Sequence, residues 1–91
     1  MGHTIRNKAK LLNRVRRIRG QVEAVDRALE SEARCADVLQ LIAACRGAIN
    51  GLMSEVLEEH IRGHVLAPDD KPRDRQEATE ELIDVVRAYV R

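Results

Sequence analysis

The sequence predicts an all-α chain of three helices, and three observations lead there. Apolar residues recur at alternating steps of four and three from Leu11 to Leu29, and again from Val38 to Val56. The pattern breaks at APDDKPRD, residues 67–74, where two prolines sit among turn residues. The composition has no Phe or Trp, one Tyr and 34% charged residues, which suits long amphipathic helices rather than a sheet.

The first helix is expected over about residues 7–30, with Leu11, Val15, Ile18, Val22, Val25 and Leu29 as its seam. The second is expected over about residues 33–66. Val38, Ile42, Cys45, Ile49, Leu52 and Val56 repeat the spacing, while Leu41, Ala44, Ala48 and Leu57 widen the apolar face. The third is expected over about residues 72–90, with Asp70 as N-cap and Pro72 in the first turn. It carries Ala78, Leu82, Val85, Val86 and Tyr89. Residues 1–91 read as a single helical domain, near the lower size limit for an independent core.

The second helix is too long for a monomer of this size. At 1.5 Å per residue it spans about 50 Å, whereas a compact chain of this length has a radius of gyration of about 12 Å. A short partner helix and a tail cannot cover such a rod on every apolar side. The expectation is a homo-oligomer built on the first two helices, with a monomeric three-helix bundle as the alternative.

The net charge of +1 conceals an asymmetry: residues 1–20 hold seven basic residues and no acid, and the remainder has a net charge of −6. Such a footprint suits an anionic partner. The near absence of aromatics argues against a base-stacking platform. No apolar run is long enough to span a membrane, and no signal-peptide core follows the basic start. The chain reads as cytoplasmic, with Cys35 and Cys45 as thiols.

Within VLEEHIRGHV, residues 56–65, His60 and His64 stand four apart and share one helical face. At 100° per residue Cys35 falls within about 40° of them, yet about 37 Å away along the axis. Two second helices paired antiparallel about residues 47–48 bring Cys35 of one chain to His60 and His64 of the other. An antiparallel hairpin turning near Ser31–Glu32 sets His3 beside position 60 or 61 of its own chain. Three imidazoles and a thiolate make a transition-metal site, to which the Gly2 amine can add if Met1 is removed. Taken singly, the histidines read as a solvated pair and Cys35 as a surface thiol. Their joint geometry favours the metal. Cys45 lies on the seam and reads as a small core residue.

On the first helix Arg6, Lys10, Arg14 and Arg17 form one stripe beside the seam, and Lys8, Arg16 and Arg19 flank its other side. A merely solvated helix mixes signs, so twenty residues without an acid point to phosphate contact. There is no helix-turn-helix spacing and no zinc-finger pattern, which leaves backbone contacts and DNA shape for recognition. No nucleophile–base–orienter set or phosphate loop appears, so an enzyme is not expected.

At RVRRIRGQV (14–22) and LIAACRGAINGLMSEVLEEHI (41–61) the sequence resembles the CsoR/RcnR/FrmR family of helical bacterial repressors, which sense copper, nickel and cobalt, or formaldehyde. The resemblance implies an antiparallel four-helix dimer, assembled as a dimer of dimers into a tetramer. It also implies operator DNA binding without inducer and release with it. Cys35 falls on a cysteine shared by metal- and formaldehyde-sensing members, and His60 on the following histidine. His64 takes the place of a second cysteine in copper sensors and of a histidine in nickel–cobalt sensors. His3 and the opening HTIR are similar to the nickel–cobalt branch, which the likeness resembles most closely. VVRAYV (85–90) is similar to the formaldehyde branch, although Gly2 stands where that branch carries proline. Lys10, Arg14, Arg16, Arg17 and Arg19 are the candidate DNA contacts, of which Arg14 and Arg17 match positions implicated in operator binding.

One sulfur against three imidazoles disfavours Cu(I) and suits Ni(II) or Co(II); Zn(II) would accept four of the same ligands. The expectation is a repressor released by nickel or cobalt, controlling metal efflux. A formaldehyde-responsive repressor using Cys35 and the N-terminal amine is the first rival. A helical metal-buffering or adaptor protein without DNA binding is the second.

Overall fold

In the computed structural model the described residues are 7–66 and 71–90. Three helices occur in the expected order: α1 (Lys8–Glu30), α2 (Cys35–His60), continued by a π-helical turn over Ile61–Val65, and α3 (Pro72–Val90). Residues 7–53 form one compact unit, and the described residues from Ser54 onward form another; α2 begins in the first and ends in the second.

In the first unit the link between α1 and α2 is a Schellman turn. The Ala33 amide donates to the Ala28 carbonyl at 2.9 Å and the Glu32 amide donates to the Leu29 carbonyl at 3.2 Å. Glu32 holds the left-handed position at φ 57°, a place that usually falls to glycine. This turn occupies Ser31–Arg34, so α2 starts at Cys35 rather than at Ala33. Removing the Cβ penalty at this position is expected to stabilise the chain. We predict that Glu32→Gly gains about 0.5–1 kcal/mol, read as a higher melting temperature. A lower melting temperature would mean that the Glu32 side chain makes a contact worth more than the strain.

The inward side of α1 is not quite the expected seam. Leu11 is buried, and Arg14, Ile18, Gln21, Val25 and Ala28 are half-buried. Val15, Val22 and Leu29, expected in the core, are exposed, Val22 by 50% and Leu29 by 61%. On α2 the inward line is Val38, Leu41, Cys45, Ala48 and Leu52. Ile42 and Ile49 remain 46% and 47% exposed. The physical reason is width. Each helix carries an apolar surface broader than one neighbour can cover, so one line faces inward and a second stays open.

In the second unit α2 ends at His60, and the expected α-helix to Leu66 is corrected over its last turn. The Leu66 amide donates to the Ile61 carbonyl at 2.8 Å, five residues back, in a wider π turn. The π turn packs against α3. Ala78 of α3 is buried and Leu82 half-buried, whereas Val85 and Val86 are exposed. The Arg75 amide donates to the Lys71 carbonyl at 3.0 Å, which leaves Pro72 at the first helical position, where its missing N–H costs nothing. Asp70, expected as N-cap, and the Tyr89 side chain lie outside the described residues.

Candidate functional site

Cys35 is exposed and is the first residue of α2, at the positive end of that helix's dipole, where an anionic ligand is favoured. Cys45 is 8% exposed and belongs to the core, as its place on the seam predicted.

His60 closes α2. Its Nε2 lies 2.7 Å from the Ala78 carbonyl oxygen of α3. A carbonyl can only accept, so Nε2 carries the proton and donates. In the neutral ring Nδ1 then keeps its lone pair, and Nδ1 is the nitrogen that can ligate a metal. A backbone carbonyl that fixes the tautomer and the ring plane is a usual support for a ligating histidine. His64, half-buried in the π turn, has its ring centroid 5.3 Å from that of His60, with the planes tilted by 52°. That separation is within reach of two imidazoles sharing one ion at about 2 Å per nitrogen.

Cys35 and His60 are the first and last residues of α2. Gly2 and His3 lie outside the described residues. Among the described residues no three potential metal-ligating side chains gather. One chain therefore joins His60 to His64 and ties His60 to α3. The Ala78 partner had no sequence signal, because any residue supplies a carbonyl.

The basic residues from Lys8 to Arg19 lie on α1, and Arg6 lies outside the described residues. Lys8, Lys10, Arg16, Arg17 and Arg19 are exposed, and Arg14 is half-buried. The first turn of α1 contains no acid, and Asn7 makes no side-chain capping bond there. Lysines at this end oppose the helix dipole, a small cost that phosphate at the same N-terminus would remove. Arg14 lies across α2: a Cβ built on Gly51 would stand 2.9 Å from its Nη1.

Comparison with known proteins meets this geometry. A family described as metal-sensitive transcriptional repressor matches residues 7–88. The chain belongs to that family. Its members are regulators rather than enzymes, and among them the CsoR/RcnR/FrmR relationship is supported by both sequence and structure. The chain is 55% identical over 91 residues, all of both chains, to a Serratia marcescens protein from the bioA 5′ region. It is 44% identical over 91 residues, again all of both chains, to the transcriptional repressor RcnR of Salmonella paratyphi B. A glutamate-to-histidine variant of the formaldehyde-responsive regulator FrmR from Salmonella enterica serovar Typhimurium superposes with a TM-score of 0.87 at 49% identity, over 96% of this chain and 98% of that one. The copper-sensing repressor CsoR of Geobacillus thermodenitrificans, solved with Cu(I), gives 0.84 at 26% identity, over 100% of this chain and 94% of that one. No helix of the described residues is long and apolar enough to cross a membrane.

Proposed function

We propose that this repressor binds operator DNA in the metal-free state and releases it on binding Ni(II) or Co(II), derepressing metal efflux from the cytoplasm. The observation that carries the reading is His60, whose Nε2 is engaged by Ala78, which leaves Nδ1 as the ligating nitrogen, and whose ring centroid lies 5.3 Å from that of His64. Cys35 of a second copy and His3 complete a set of one thiolate and three imidazoles, with the Gly2 amine as a further donor. Such a set favours nickel or cobalt over Cu(I) and also accommodates zinc. The RcnR relative supports the nickel–cobalt branch.

Assembly follows from the open apolar lines. Val15, Val22 and Leu29 on α1 and Ile42 and Ile49 on α2 are covered by the same surfaces of a second copy, in an antiparallel four-helix dimer. Dimers pair into tetramers, as the resemblance implies. The site then joins residues of two chains, so occupancy changes how their helices sit and displaces the basic stripes from DNA. Linkage makes the effect reciprocal: DNA and metal weaken each other's binding by about 1–3 kcal/mol.

The test is a titration of NiCl2 into the protein bound to labelled duplex DNA carrying its own upstream region. Release at metal concentrations near stoichiometric supports the reading, and indifference to nickel and cobalt removes it. A formaldehyde response is the second reading, favoured by the exposed Cys35 and the FrmR neighbour. It predicts chains cross-linked through Cys35 and the N-terminal amine after aldehyde treatment, visible on a denaturing gel.

A further inference from the structure

We propose that Gly51 is a positioning residue for DNA binding, because its lack of a side chain is what lets Arg14 lay its guanidinium across α2. The proposal rests on the reading of α1 as the DNA-binding stripe. Among the basic residues 8–19 of α1, Arg14 alone is half-buried; Lys8, Lys10, Arg16, Arg17 and Arg19 are exposed. Its guanidinium reaches the opposite helix. A Cβ at Gly51 would be 2.9 Å from Arg14 Nη1, closer than real Cβ atoms come, whereas Cβ atoms at Gly20, Gly47 and Gly63 would meet nothing within 4 Å. Glycine inside a helix is a destabilising choice, and at Gly51 a close approach accounts for it.

The consequence is preorganisation. A free arginine has many rotamers and loses that freedom when it grips a phosphate. A guanidinium already resting on the opposite helix has given up part of it, and its planar fork meets the phosphate with less left to lose. An alanine at position 51 would push against the far end of a flexible side chain. The fold tolerates that easily, since Arg14 can swing away. The cost falls on the grip.

The experiment compares wild type, Arg14→Ala, Gly51→Ala and the double variant. Binding to a fluorescein-labelled random-sequence duplex is followed by anisotropy across a range of KCl concentrations, with melting curves recorded alongside. We expect Arg14→Ala to weaken binding and to make the slope of log affinity against log salt shallower by about 0.9 for each phosphate it no longer neutralises. Gly51→Ala weakens binding while keeping the wild-type salt slope, because the same phosphate is still neutralised, and the double variant binds no more weakly than Arg14→Ala, as expected for two residues acting through one interaction. The melting temperature of Gly51→Ala is at or above wild type, because alanine is the better helix former. Wild-type binding by Gly51→Ala alongside weakened Arg14→Ala overturns the proposal alone. Additive losses in the double variant overturn it too. Wild-type binding by Arg14→Ala overturns the DNA assignment of Arg14, and this proposal with it.

Discussion

A Cys35→Ala protein is expected to bind duplex DNA as wild type does and to remain bound when nickel is added. Cys35 is exposed and heads α2, so its loss opens no cavity within the chain and takes no charge from the basic residues of α1. It removes the one thiolate of the proposed site and the ligand that comes from the second chain. Without that bridge, metal held by histidines alone cannot report on the arrangement of two chains. A coupling of about 1–3 kcal/mol corresponds to a change in DNA affinity of about 5–150-fold, and all of it disappears in the variant. Cys45→Ala is the matched control. Its sulfur is buried in the first unit, so that substitution costs about 1 kcal/mol of stability and leaves the nickel response intact. Release of Cys35→Ala from DNA at wild-type nickel concentrations would take Cys35 out of the site.

The second large effect concerns assembly. Val22→Asp places a charge on a residue that is 50% exposed in one chain. If the chain works alone, such a surface change shifts stability by no more than about 0.5 kcal/mol. If a second copy covers Val22 beside Ile42 and Ile49, the carboxylate is buried without a partner. The cost is then several kcal/mol, and the oligomer falls apart. Sedimentation at micromolar concentration separates the two cases. We expect the variant to run as a smaller species than wild type and to lose nickel-dependent DNA release, since the site needs two chains. An unchanged sedimentation coefficient would leave the open apolar lines without their proposed occupant.

The helices themselves were legible because periodicity reports which residues seek an apolar side, and three separated runs produce three helices. The same signal blurs two neighbours. The seam from Leu11 to Leu29 contains both Leu11, Ile18 and Val25, which face inward, and Val15, Val22 and Leu29, which do not. Alternating steps of three and four cannot say which line meets the same chain and which is left for another. The start of α2 was blurred for a different reason. Glu32 takes a left-handed conformation that neither glycine nor proline advertised. The π turn over Ile61–Val65 was invisible because one wide turn barely disturbs an apolar pattern.

At the site, the pairing of His60 with His64 was readable from their spacing, and the structure brings their rings together. The hydrogen bond to Ala78 was not readable, because it depends on where α3 packs and not on which residue stands there. Arg14 was legible as a charge but not as a side chain resting on Gly51, since no periodic rule marks a cross-helix notch. His3 remains a proposal carried by arithmetic along the α1–α2 hairpin and by the family resemblance.

The measurement that reaches the central claim most directly is a Co(II) titration of the reduced, metal-free protein, followed by ultraviolet-visible absorption, for wild type and His3→Ala. We expect a sulfur-to-cobalt charge-transfer band in wild type, weak d–d bands of octahedral type, and loss of that spectrum without His3. A tetrahedral spectrum indifferent to His3, or no thiolate band at all, would contradict that claim.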